Sequence, residues 1–495
     1  MDVTLAADLG GTSLRVALMD RDGAAIASAA RPQPFGAPGD DEADPERWWV
    51  LFQDAAAELR SAAPAAFGRI SCVAITGATR TQVLLDAAGR AIRPAMTWAH
   101  ARAADLAPDL AARLPQDDPE VAHVNAFHPL ARLAYVARSW PSDAQAVATV
   151  VEPKDVLNAR LTGRAASDPI SSARLAACLR PSAGGRSLCE IAGLRPPALD
   201  LVSPGEAIGR VLPGRGGALD DVAGAPVVMM AHDSWASALG LGALRHGGAY
   251  NLSGTTEVLG VFSRRPATSP GLMSVDWGGL THLGGPGQNG ADAAAWAMSV
   301  IGAPSGPPGA ALDALLAQPR REQPLLFLPY LQGERTPYWD PDLRGAFIGL
   351  QRRHGPADLA FAVLEGVAFL NRIVLRQAEE AFGFRAAEIR FGGGGASNAV
   401  WAQIKADVCG RAVATSAAPE PGLVGGAIAA AVMGGESLED AQDRMSRPAA
   451  RFEPRSDRSA HFDALFHLYR EAERAVAPLS HALARMTQPT AFATP

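Results

Sequence analysis

The sequence predicts an α/β layered protein built from two related halves, on three observations. Predicted strands and amphipathic helices mix from the first hundred residues onward. Two turns repeat: "DLGGTS" (residues 8–13) and "NLSGTT" (251–256) each follow one apolar run and precede another. They pair Leu9 with Leu252, Gly11 with Gly254, Thr12 with Thr255 and Ser13 with Thr256, each pair 243 positions apart (254 − 11). A third glycine turn, "FGGGGASN" (391–398), lies between a strand pattern and a helix pattern.

The elements follow in order. "VTLAADLGGTSLRVALMDRDGAAIASAA" reads as strand, tight turn, strand, Asp-Gly hairpin, strand. "DPERWWVLFQDAAAELRSAA" reads as a helix: Asp44 caps it, Pro45 suits its first position, and Trp48, Leu51, Phe52, Ala55 and Leu59 form one apolar face. "RISCVAITG" (69–77) has the composition of a buried strand. The second half repeats the order with "GAYNLSGTTEVLGVFS" as strand, turn, strand. A long helix follows, with apolar positions at Leu359, Ala362, Val363, Gly366, Val367, Leu370, Ile373 and Val374. The boundary between the halves is expected in the stretch 242–250. Residues 303–323, rich in Pro, Ala and Gly, read as a loop or short helix, and residues past about 488 as a frayed tail.

Bulk properties narrow the function. The chain has 495 residues, enough for two large domains or about three of ordinary size. It is 48% hydrophobic and 19% charged with a net charge of −6, so neither nucleic acid nor an anionic membrane is expected as partner. No leader-like N-terminus is expected, and no apolar run approaches the ~20 residues of a membrane span. The four cysteines show no metal-type spacing and read as free thiols, which suits a cytoplasmic location. Lys154 and Lys405 are the chain's two lysines, and no GxxxxGK[ST] motif exists, which excludes a P-loop kinase.

A Gly/Thr turn between strands can aim backbone N–H groups and hydroxyls at phosphate. Two such turns suggest two lobes around a phosphate chain. Asp8 stands at the head of the first turn alone, so only that turn offers a carboxylate to a metal ion; the asymmetry suits a Mg-nucleotide clamp. Two ordinary hairpins are the plainer alternative.

With these motifs in view, the chain resembles the FGGY carbohydrate kinases, of the actin/Hsp70/hexokinase superfamily, over about residues 4–434. It looks most like the xylulokinases of that family. The stretches that carry the resemblance are "DLGGTSLR", "DPERWW", "LLDAAGRAIRPAMTW", "EPKDVLNARLTGRAASD", "HDSWASALGLGA", "FLPYLQGERTPYWDP", "RGAFIGLQRRHGPADLAFAVLEGV" and "GGGGASNAVWAQIKADVCGRAV". The resemblance implies two actin/hexokinase-like (ribonuclease H-like) α/β domains flanking an ATP/sugar cleft. It implies an N-terminal domain over 1–244, with sugar site, phosphate turn and catalytic Asp. A C-terminal nucleotide-binding domain would cover 245–440, and a helical extension with its tail 441–495. ATP and Mg²⁺ are the implied cofactors, a sugar the implied partner, and a homodimer a possible assembly.

Residue by residue, Asp8 resembles the family's Mg/phosphate aspartate. Asp233 resembles its catalytic base, which would take the sugar hydroxyl proton during in-line transfer; a helix cap is its alternative. His232 reads as structural. Gly11, Thr12 and Arg15 would face the transferring phosphoryl group, and Gly254, Thr255 and Thr256 the nucleotide phosphates. Gly393, Gly394, Gly395 and Asn398 look like the adenine/ribose site. Arg335 and Asp340, in "GERTPYWDP", read as holding that loop together, with a part in shaping the cleft as the alternative.

The sugar site departs from the xylulokinase pattern. Arg80 stands where His is usual, and the family's Trp-x-Asp-x-Arg appears as Trp98-Ala99-His100-Ala101-Arg102. Ser234 replaces the Asn that often follows the catalytic Asp. Arg80, Trp98, His100, Asp233 and Ser234 are therefore the expected acceptor contacts. The acceptor is either a ketopentose such as D-xylulose or another ketose, a polyol or a sugar acid. A non-catalytic nucleotide switch is the reading from another class.

Overall fold

Turn chemistry at the N-terminus sets the first sheet. Asp20 Oδ1 accepts from the N–H groups of Asp22 and Ala24, each at 2.9 Å, and closes the hairpin between β2 (Ser13–Met19) and β3 (Ala25–Pro32). β1 (Val3–Leu9) pairs antiparallel with β2 and parallel with β4 (Ile70–Gly77). With β5 (Ala207–Arg210) and β6 (Pro226–Met229) the order is β3-β2-β1-β4-β6-β5. The computed structural model describes residues 2–33, 41–182, 184–301, 308–319 and 323–487. The chain forms two units: Met1–Gly240 with Gly422–Met445, and Leu241–Pro421 with Ser446–Pro495.

In the first unit, helix α1 (Pro45–Ala62) begins as the sequence dictates, with Asp44 Oδ1 accepting from Glu46 N–H at 3.0 Å and Pro45 in its first turn. Trp48, Phe52, Ala55 and Leu59 are buried as expected, whereas Leu51 is half-buried and Ala56 completes the stripe. They join Leu5, Leu9, Val16, Leu18, Ile75 and Met229 in one core. A second apolar cluster around Leu84, Met96, Leu130 and Val150 carries helix α2 (Pro129–Ser139). Helices α3 (Pro153–Thr162) and α4 (Asp233–Gly240) follow. The helix Pro421–Met433 packs its small residues tightly: a Cβ on Gly425 would lie 2.1 Å from the Ala236 carbonyl oxygen.

In the second unit, β7 (Ala249–Ser253), β8 (Glu257–Ser263), β9 (Met273–Asp276), β10 (Thr281–Pro286), β11 (Glu388–Gly392), β12 (Ala412–Ser416) and β13 (Pro448–Phe452) take the order β9-β10-β8-β7-β11-β12-β13. Helix α5 (Pro356–Phe382) is buried along most of its length; Val363, Val367, Leu370 and Ile373 lie in the core and Leu359 at its margin. Helix α6 (Ala399–Cys409) follows the third glycine turn, and α7 (Ser456–Thr487) packs Phe462, Leu465 and Tyr469 on the same core.

Two expectations shift. The stretch 441–495 is not wholly helical, because β13 adds an edge strand, its Pro448 at the sheet margin where no ladder donor is needed. Residues 441–445 group with the first unit and the remainder with the second. Within 303–323 the described part forms the helix Pro308–Leu316. The expected tail beyond 488 lies outside the described residues. All four cysteines are buried free thiols.

Candidate active site

The parallel strands of the first unit deliver their loops to one edge. Leu9 ends β1 beside Gly77, the end of β4, and Met229 ends β6 beside Ile75. Loops 10–12, 78–82 and 230–232 leave from these C-terminal ends, the usual location of ligand sites in such sheets. Asp8 pairs in register with Arg15 on β2 and with Thr76 on β4, which places the three side chains on one face of the sheet. The Gly10 N–H donates to the Ser13 carbonyl at 3.1 Å, and Gln33 Nε2 to the Gly10 carbonyl at 3.2 Å. These bonds fix the turn and leave Gly11 half-buried and Thr12 exposed. A Cβ on Gly422 would lie 3.1 Å from Asp8 Oδ2 and 3.6 Å from Ser237 Oγ of α4. Glycine there lets a helix start close to the carboxylate.

Asp233 opens α4. Its Oδ1 accepts from the Ser234 N–H at 2.6 Å and the Ser234 hydroxyl at 3.2 Å. No bond within the described residues falls on its Oδ2. Its side chain is 37% exposed, open enough for a ligand to touch. Burial pushes its carboxyl above the usual range, against the nearby His232 and the Ser234 donors. His232, not Asp233, supplies the helix cap: its Nδ1 accepts from the Trp235 N–H at 3.3 Å. Burial holds the His232 pKa down. Thr76 Oγ1 donates to the Ala231 carbonyl at 2.7 Å and ties this loop to β4.

Arg80 sits in the left-handed region at φ +58°, with its side chain in contact with solvent. Desolvation by the surrounding chain lowers its pKa; the charge of Arg174 acts the same way and that of Glu152 opposes it. Trp98 is exposed. His100 differs from the expectation of an acceptor contact. It is fully buried, both ring nitrogens lack a hydrogen-bond partner among the described residues, and its ring meets Tyr135 edge-on at 5.4 Å. Burial and the Arg132 charge lower its pKa. Tyr135, which covers the ring, packs on the second apolar cluster, and the chain after residue 100 joins that cluster at Ala103 and Ala107.

Two features escaped the sequence reading. Buried Arg132 on α2 donates from Nη1 to the carbonyls of Arg80 (2.8 Å) and Met96 (3.3 Å). Its Nη2 donates to those of Thr97 (2.6 Å) and His100 (3.1 Å). Burial pushes its pKa down to about 10, against the charge of Glu152. Beneath the same loops Lys154 Nζ lies 2.5 Å from Asp155 and 2.9 Å from Asp168, all three buried. Glu152, the residue before α3, accepts from the Thr81 N–H at 3.2 Å, and burial holds its carboxyl well above the usual range. The signal was present in "EPKD": charges crowded around a helix start in a chain otherwise almost free of lysine.

In the second unit the repeated turn sits between β7 and β8. The Gly254 N–H donates to the Thr256 carbonyl at 3.0 Å; Gly254 and Thr255 are exposed and Thr256 half-buried. The third glycine turn lies against it. Gly393 has φ +83°, and a Cβ there would stand 2.6 Å from the Ser253 carbonyl oxygen, so glycine is required. Gly394 is open and Gly395 buried. Asn398 is engaged at both ends: Oδ1 caps α6 through the Trp401 N–H at 2.8 Å, and Nδ2 donates to Asp313 at 2.7 Å. Lys405 of α6 donates to Glu257 (3.2 Å) and Asn371 (2.5 Å), while Asn251 Nδ2 donates to Glu257 (2.5 Å). One buried polar network thus joins the two turns. "GERTPYWDP" supports them: Arg335 Nη2 donates to the Gly287 carbonyl, whose N–H donates to the Glu257 carbonyl, and Asp340 bonds His481 of α7 at 2.7 Å.

Comparison with known proteins agrees with this architecture. Residues 3–240 match the family model for the N-terminal domain of the FGGY family of carbohydrate kinases, and residues 249–434 that for its C-terminal domain. A xylulose kinase of Escherichia coli is 31% identical over 82% of this chain and 84% of its own. A gluconokinase of Bacillus subtilis is 25% identical over 86% of each. The crystal structure of xylulose kinase from Rhodospirillum rubrum superimposes with a TM-score of 0.83 at 27% identity, covering 97% of this chain and all of that one. The actin/hexokinase-like α/β fold, both family domains and the level of identity place this chain within the FGGY family of carbohydrate kinases, enzymes that phosphorylate sugars with ATP.

Proposed function

We propose that this kinase transfers the γ-phosphoryl group of ATP to a hydroxyl of a ketopentose such as D-xylulose, with Asp233 as general base. The observation that carries the reading is the Asp233 carboxylate: one oxygen held by Ser234, the other without a bond among the described residues, and a proton affinity raised by burial. Such a group can take the hydroxyl proton as the phosphoryl group departs from ATP. Ser234, Arg80 and Trp98 would meet the acceptor. Gly11, Thr12 and Arg15 would meet the transferring group, and Gly254, Thr255 and Thr256 the remaining phosphates. The open surface at Gly394 would take the base and ribose, with Asn398 holding the turn. Xylulose kinases among the relatives support the acceptor class.

Among the described residues no three His, Cys, Asp or Glu side chains gather as a metal cage. A single carboxylate at the head of a Gly/Thr turn, as at Asp8, suits Mg²⁺, which keeps several waters and takes one or two carboxylates plus substrate phosphates. Asp8 would hold it, and the ion would neutralise charge on the phosphate oxygens. A cytoplasmic enzyme fits the four unpaired, buried cysteines.

One observation favours a second acceptor class. Arg80 is exposed, and a guanidinium presents two parallel donors that match a carboxylate. ADP release with Mg-ATP across ketopentoses, ketotetroses, polyols and sugar acids decides. Turnover preferring D-xylulose supports the first reading, and turnover preferring a sugar acid the second. Silence with retained ATP binding replaces both with the nucleotide-switch reading.

A further inference from the structure

We propose that Arg132 is a positioning residue for acceptor recognition, setting the backbone of the two loops that carry Arg80 and Trp98. The proposal rests on reading those loops as the acceptor site. One guanidinium, fixed on helix α2, takes the carbonyls of residues 80, 96, 97 and 100. Loops separated by 16 residues of sequence (96 − 80) are thereby drawn to a single planar group. The peptide joining Arg80 to Thr81 is pinned at both ends, its carbonyl by Arg132 Nη1 at 2.8 Å and its N–H by Glu152 Oε2 at 3.2 Å. That peptide sets ψ of Arg80, which already occupies the unfavourable left-handed region at φ +58°. The bonds therefore decide where the Arg80 side chain departs.

Arginine is the residue for this task. Its planar fork presents donors in fixed directions, whereas a lysine ammonium has three tetrahedral donors and a different reach. The buried charge meets four carbonyl dipoles, and its described bonds all go to loop backbone. Arg132 is buried and touches no reacting group, and its effect passes through the loops alone.

The test compares wild type with Arg132→Lys and Arg132→Ala. Arg132→Lys should raise KM for the preferred acceptor by up to about 10²-fold, the scale of an ångström-sized misplacement, with KM for ATP unchanged. Millimolar guanidinium should restore acceptor KM in Arg132→Ala, where it can refill the cavity, and leave Arg80→Ala unaffected. Hydrogen exchange should rise at the amides of residues 78–82 and 96–102 but not within α2. Acceptor and ATP constants that worsen together, in step with thermal stability and without guanidinium rescue, would overturn the proposal. So would unchanged loop exchange in a folded variant. If wild type turned over no acceptor, the functional reading would fail by itself, and the exchange measurement would still decide whether Arg132 fixes the loops.

Discussion

Asp233 shows how a residue's neighbours set its chemistry. Its Oδ1 is held by the residue that follows it, His232 relieves it of the capping duty, and burial raises its proton affinity. A base must be ionised to act, so activity should fall as pH drops through a raised pKa. The acid limb of kcat/KM should lie above pH 3.8, the ordinary value for an aspartate; a flat profile down to that pH would contradict the assignment. The candidate positions Asp8, Asp233 and the glycine turns were legible because their signal is local: an apolar run, a turn, an acid at a fixed offset. The burial of His100 was not legible. It depends on Tyr135 and Arg132 reaching it from α2 more than thirty residues away, and no periodicity near residue 100 reports that. Arg132 itself reads as an interruption in an apolar helix face until the carbonyls around it are seen.

At the scale of elements, the turns are held by buried polar clusters. Lys154 lies between Asp155 and Asp168, so Lys154→Met leaves two carboxylates in the interior without their cation. The loss should be ~3–5 kcal/mol, read as a lowered thermal midpoint; an unchanged midpoint would show that the acids protonate without cost. Glu334 anchors "GERTPYWDP" through Gln288 and Asn289, and burial raises its pKa from 4.5 to about 7. The folded state then holds a proton that the unfolded state releases, so this contribution to stability is full below pH 4.5 and is lost as pH rises to about 7. Glu334→Gln should flatten that part of the stability–pH curve, measured by thermal unfolding across the window; an unaltered slope would argue against it. Strands and long helices were legible from pattern, as the cap at Asp44 and the stripe on α1 show. The edge strand β13 was not, since five residues beginning with Pro448 and exposed for most of their length carry no alternation.

At the scale of the molecule, each unit has its own sheet, its own core and one buried lysine. Lys154 is 1% exposed and Lys405 is 2% exposed, so amine acylation reports opening of each unit separately. Both lysines should label at least ~10³-fold more slowly in the native protein than in denaturant, and different rates would give the two units different opening free energies. Fast labelling of either would contradict its burial. The duplicated turn made the paired organisation legible in the sequence. The return of Gly422–Met445 to the first unit was not, because it depends on small residues packing at a distance in sequence. The most direct test of the central claim is single-turnover phosphoryl transfer by Asp233→Asn on the preferred acceptor, alongside acceptor and ATP binding. The account predicts a rate lower by about 10²–10⁴-fold with both affinities retained. Transfer at the wild-type rate would show that another group takes the proton.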